Sequence, residues 1–198
     1  LVFKHITYNK KKNRKGVVSI MTKKAKERTL WETQGRSFVR DLDYGKKGEE
    51  RIARHLRKYK SVVDVRDISN TRRGIDDDID FEIVYADGHV STAEIKTDTM
   101  AHRTGNLAYE KFSHRNPGCF ARTKADHIIY LLDHTGEAFV LDPKKFRAFI
   151  AEMEADQDKA KSLRVAWRKM GEGASGYLVP IKSILKTDVV EAKMMVAA

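Results

Sequence analysis

One cysteine, Cys119, stands in a chain of 198 residues. A single thiol excludes an internal disulfide framework and a cysteine-rich zinc site. The seven histidines offer no H-E-x-x-H spacing and no paired metal arrangement, so zinc chemistry is not expected. No apolar run approaches the roughly 20 residues that a membrane-spanning helix needs, and no stretch reads as a signal peptide. The expectation is a cytoplasmic protein without a membrane partner. Internal repeats and low-complexity segments are missing beyond the basic start, which removes repeat scaffolds from consideration. With 41% hydrophobic residues, the chain suits one domain with a real core.

Charge is unevenly spread. The formal net charge is +11, yet residues 1–30 hold ten Lys or Arg against Glu27 alone, leaving 29 basic and 27 acidic residues in the remainder. Lys10 to Lys15 and Lys23 to Arg28 therefore read as a flexible basic arm ahead of a single domain over residues 31–198. Such an arm neutralises nucleic-acid phosphates and releases their counterions; solubility is its ordinary alternative role. Met21 is a plausible native start, which would make residues 1–20 an upstream extension.

The densest chemistry lies between Asp76 and Lys96. Phe81, Ile83 and Tyr85 alternate with Asp80, Glu82 and Val84, and a second alternating run reaches Lys96 after Asp87-Gly88, a β-hairpin pattern. Loop length decides which side chains meet. A two-residue Asp87-Gly88 turn pairs Asp80 with Ile95; a three-residue Ala86-Asp87-Gly88 loop pairs Asp80 with Glu94 and needs positive φ at its last position, where glycine stands. The second register puts Asp80, Glu94 and Lys96 on one face. Opposed carboxylates repel, and a divalent cation offsets that charge; oxygen ligands suit Mg²⁺ or Mn²⁺. The ordinary reading of such a triplet is a solvated cross-strand charge pattern. A calcium loop starting at Asp76 fails, because Phe81 and Asp87 occupy the positions that need glycine and glutamate.

Asp80 followed by Glu94-x-Lys96 resembles the core of the PD-(D/E)xK nuclease superfamily, which includes restriction enzymes, phage exonucleases and archaeal-type Holliday junction resolvases. Upstream, Gly45 to Ala53 with Leu56 resembles that superfamily's first helix. Ile52, Ala53 and Leu56 follow Glu49 at helical spacing and would dock that face on a sheet. The resemblance spans roughly residues 44–150. It implies a restriction-endonuclease-like α/β fold, a central mixed β-sheet flanked by helices. It also implies a metal site of Asp80, Glu94, Glu49 and the Ile95 backbone carbonyl, with Lys96 catalytic. Ile79 stands where the pattern has proline, and Asp78 is an alternative ligand should the strand begin earlier.

Downstream, Thr104 to Glu110 reads as a loop entering a strand, with Asn106 near a phosphate, Tyr109 stacking on a base and Glu110 an outer carboxylate. Arg122 and Lys124 are candidates for phosphate contacts. A strand is expected at His127 to Leu132, a turn at Gly136, a strand at Ala138 to Leu141, and a helix from Asp142-Pro143 to about Glu154. Residues 151–198 form an extension with an amphipathic stretch at Lys159 to Met170 and a short strand at Tyr177 to Ile181. A homodimer would use Ile128 to Leu132 or a helix face. The expected function is a Mg²⁺-dependent DNA endonuclease, with branched or recombination DNA favoured by family analogy. Restriction-type or exonuclease activity is the enzymatic alternative, and a non-catalytic nucleic-acid-binding protein of the same fold the other.

Overall fold

Apolar residues alternate along β2 (Phe81–Tyr85) and β3 (Val90–Asp98), and one face of both strands is dry: Phe81, Ile83, Ala93 and Ile95 are all buried. The computed structural model describes residues 43–171 and 173–197, so the basic arm of residues 1–30 lies outside the described residues. Helix α1, residues 43–56, covers that dry face with Ile52, Ala53 and Leu56, joined by Val65, Ile129, Leu131, Ala138 and Val196. These are the helical positions expected to dock.

The hairpin is continued by β1 (Val62–Asp67) on one side and β6 (His127–Leu132) on the other. β7 (Glu137–Leu141) and β10 (Val190–Met195) complete a six-stranded sheet in the order β1-β2-β3-β6-β7-β10. β3 and β6 run parallel and the other pairs antiparallel, so the sheet is mixed. Its second face carries Ile128, Tyr130, Leu132, Phe139 and Leu141. They pack with Phe146, Phe149, Ile150 and Met153 of α5 (Pro143–Ala155), capped by Asp142, whose carboxylate accepts from the Lys144 and Lys145 N–H groups. The fold is α/β, a mixed central sheet flanked by helices.

A second, four-stranded antiparallel sheet leans on that core: β4 (Asn106–Ser113), β5 (Asn116–Pro117), β8 (Ala166–Gly171) and β9 (Ala174–Pro180), in the order β5-β4-β9-β8. Leu107, Tyr109 and Val179 are its contribution to the core. Its edge strand β8 begins inside the stretch expected to hold one amphipathic element over Lys159 to Met170. Instead, α6 (Gln157–Ser162) ends there, Arg164 turns the backbone at φ 58°, and β8 begins. Val165 is buried and Arg164 exposed, so the apolar residues of that stretch serve two elements.

Residues 72–77 form helix α2 (Arg72–Asp77), N-capped by Thr71, whose hydroxyl accepts from Gly74 N–H. The cap satisfies one of the amide donors that a helix start leaves open. The proposed dimer surface at Ile128 to Leu132 is the centre of the sheet: none of the five is more than 2% exposed, and no face of β6 remains for a partner.

Candidate active site

The hairpin register decides the site. Phe81 pairs with Ala93, Ile83 with Ser91 and Val84 with Val90, which places Asp80 opposite Glu94; the Asp80 N–H donates to the Ala93 carbonyl at 3.0 Å. Ala86, Asp87 and Gly88 form the loop. Tyr85 N–H donates to His89 O at 2.8 Å, and Gly88 sits at φ 85°, where a Cβ is disfavoured. Asp80, Glu94 and Lys96 thus share the face opposite α1.

Asp80 accepts a hydrogen bond from the Ile95 N–H at 2.8 Å and shares a hydrogen bond with the Glu94 carboxyl. Both carboxyls are held above the ordinary range. Burial is the first cause for each; for Glu94 the Asp80 and Asp78 charges add to it, and for Asp80 the Glu49 charge does. A shared proton is what two crowded acids adopt when no cation stands between them. The donor set is therefore oxygen-only and electrostatically short of positive charge, which fits a hard divalent cation such as Mg²⁺. Among the described residues, no three His, Cys, Asp or Glu side chains already form a group that could hold an ion.

Glu49 comes from the first half of α1. Lys46, one turn earlier, bridges it to Asp67 at the end of β1, at 2.8 and 2.6 Å. Burial opposes the Lys46 charge, yet those two bonds raise its pKa overall. Lys46, Glu49 and Asp67 line a cleft of about 340 Å³ with Arg54 and Arg57. At Gly48 the helix touches β3: an added Cβ would lie 1.9 Å from the Thr97 hydroxyl, so glycine sets the close approach that brings Glu49 toward Asp80.

Lys96 lies 3.7 Å from Glu110, the carboxylate at the middle of β4. Its pKa is raised, by the Cys119 sulfur first and then by Glu110, Glu94 and Asp98, against the cost of burial. At neutral pH the carboxylates do this, because burial pushes the Cys119 thiol up to about 12 and keeps it uncharged. Cys119 opens the short helix α4 (Cys119–Arg122) and forms part of the wall beside Lys96 and Glu94. Its place was not legible from sequence, where it was only a lone cysteine. Lys46 and Asp67 were missed as well; the Gly45-Lys46 context offered no charge partner until β1 was in place.

Several expected contacts fall elsewhere. Asp78 is not a strand residue: it ends α2 in the left-handed region at φ 49° and is gripped by both ends of the Arg122 guanidinium. Asp80 is the acid that meets Glu94 directly, while Arg122 clamps the acidic turn at Asp78. Lys124 pairs with Asp77 at 2.7 Å in the same clamp. Tyr109 is 3% exposed, wedged between Phe120 and Phe146, so it has no face for a base; β4 turns it into the core because its neighbour Glu110 points to the site. Asn106 is half-buried at the head of β4, its side-chain amide donating to Thr104 O at 3.0 Å. Ile95 directs its side chain under α1 and its N–H to Asp80. No helix among the described residues is long and apolar enough to cross a membrane. No protein-family model matches the chain, and no curated protein or solved structure matches it either.

Proposed function

We propose that the chain is a Mg²⁺- or Mn²⁺-dependent phosphodiesterase acting on DNA, an endonuclease of the restriction-endonuclease-like α/β type. The observation that carries this reading is the opposed, half-buried Asp80–Glu94 pair with Lys96 one pleat further along the same face. An ordinary fold gains nothing from two crowded acids at the end of a hairpin, since uncompensated charge there costs stability. Helix, three antiparallel strands and a parallel fourth strand also agree with the resemblance drawn from the residues alone.

In this reading Asp80, Glu94, the Ile95 carbonyl and Glu49 would hold the cation. The bound ion supplies Lewis acidity toward the scissile phosphate and lowers the pKa of a coordinated water. Lys96 stays protonated, held by Glu110 and Glu94, and donates toward the charge that develops on the phosphate oxygens. The proton that Asp80 and Glu94 share would have to leave for the two carboxylates to hold a cation. Arg122 and Lys124 fix the Asp77–Asp78 turn that abuts the site. Branched DNA is the favoured substrate by family analogy.

The test is cleavage of labelled four-way junction, linear duplex and single-stranded DNA with Mg²⁺, Mn²⁺ or EDTA, comparing wild type with Glu94→Ala. Metal-dependent cutting should fall by at least about 10³-fold in the variant, while DNA binding in EDTA is retained or strengthened. Binding without cutting of any substrate, in wild type, would replace this reading with a binding protein of the same fold.

A further inference from the structure

The second sheet has one face in the core and one that faces outward. Along β4, Asn106, Ala108 and Glu110 alternate onto the outward face; register with β9 adds Pro180, Leu178 and Gly176, and with β8 adds Ala166 and Arg168. A groove of about 640 Å³ lies on this face, floored by Ala166, Leu178 and Pro180 and flanked by Arg164, Arg168 and Lys182. None of its lining residues is acidic. No ion pair holds Arg164, Arg168 or Lys182 among the described residues; Arg168 donates only to the neighbouring Trp167 carbonyl, at 2.8 Å. Elsewhere many cations are committed: Lys46, Arg51, Arg73, Arg122, Lys145 and Lys193 each meet a carboxylate.

One cross-strand row links the groove's Arg168 to the site. Glu110, Gly176 and Arg168 stand in one cross-strand row, and Glu110 is the carboxylate beside Lys96. Neighbouring strands are about 4.8 Å apart, so the row spans roughly 10 Å from Glu110 to Arg168, about three steps of a DNA strand at 3.4 Å each. Gly176 leaves the row without a side chain at its centre, and any Cβ there would strike the Tyr109 carbonyl at 1.9 Å. Arg164 keeps a cation at φ 58°, where glycine would sit without strain.

We propose that this groove holds the phosphate backbone of the DNA strand that enters the carboxylate site, with Arg164, Arg168 and Lys182 on successive phosphates. The proposal rests on the nuclease reading and adds the path of the substrate. Unpaired cations over an apolar floor match a backbone that carries one charge per nucleotide and presents sugar edges between them. The extension beyond residue 150 thereby has a role: it builds the wall along which substrate lies.

The decisive measurement is DNA affinity of the full chain in EDTA as a function of salt, by fluorescence anisotropy. Wild type is compared with Arg168→Ala/Lys182→Ala, with Arg164→Gly, and with a charge-matched control, Lys145→Ala/Lys193→Ala. The groove double variant should bind about tenfold or more weakly, with a salt slope shallower by roughly 1 to 2 units, whereas the control keeps the wild-type slope. Arg164→Gly should weaken binding while its thermal stability is unchanged or higher, which separates contact from folding. Equal slopes in groove variant and control, or no DNA binding by wild type, would overturn the groove. Cleavage assays on the same proteins keep the two ideas apart. Metal-dependent cutting with an unaltered slope leaves the nuclease and removes the groove; groove-dependent binding without any cutting does the reverse.

Discussion

The two faces of the β2–β3 hairpin are built from alternate residues of the same strands and solve opposite problems. Under α1, Phe81, Ile83, Ala93 and Ile95 meet Ile52, Ala53 and Leu56, and every group is apolar and buried. On the reverse side Asp80 and Glu94 meet half-buried, and burial raises the pKa of both; the Asp80 charge raises Glu94 further, and the Glu49 charge raises Asp80. The first face supplies stability; the second consumes some of it. A hairpin can hold a crowded acid pair at its end because its other face anchors it.

The largest effect expected is on the dry face. Phe81→Ala removes a ring that is 3% exposed and should lower stability by about 3–5 kcal/mol, read by urea or thermal unfolding. A loss under 1 kcal/mol would mean that the anchor lies elsewhere. Gly48→Ala comes next. Its methyl meets the Thr97 hydroxyl, so the helix must move away from β3, at about 1–3 kcal/mol. Cleavage should fall with it, because Glu49 travels with the helix; wild-type cleavage would show that Glu49 need not stand where it does.

The polar face gives the pH test. Both acids have folded-state pKa values raised above those of the unfolded chain, so the folded state binds more protons between the two values. Their favourable contribution is full below the unfolded pKa and lost as pH rises through the folded one. Metal-free protein should therefore lose melting temperature as pH rises from about 4.5, apart from other titrations. Mg²⁺ should restore it increasingly toward alkaline pH, with apparent affinity growing as the shared proton leaves. Glu94→Gln at pH 8 in EDTA should be more stable than wild type by about 1 kcal/mol, which corresponds to less than one unit of pKa shift. A destabilised Gln variant would refute the crowding account. Smallest of all, Lys124→Ala breaks an exposed pair with Asp77 and should leave the melting temperature unchanged; a clear drop would give the clamp a structural weight that exposure denies it.

Much of this protein was decided locally. Alternation along residues 80–96, with Gly88 able to take positive φ, determined the hairpin, its three-residue loop and the Asp80–Glu94 opposition. The spacing of Ile52, Ala53 and Leu56 determined the face of α1, and Asp142-Pro143 marked the start of α5. What could not be read were pairings over long separations. Asp78 with Arg122, Lys46 with Asp67 and Lys96 with Glu110 and Cys119 depend on which strand or helix end lies beside which. Likewise, whether Tyr109 faces a base or the core depends on what covers β4, and whether Lys159 to Met170 is one element or two depends on β9 being there to pair with β8. Sequence by itself fixes periodicity, caps and turns because these are satisfied within a few residues. Ion partners, the groove and the second sheet were settled only when distant segments met, since Coulomb and packing energies act through space and not along the chain.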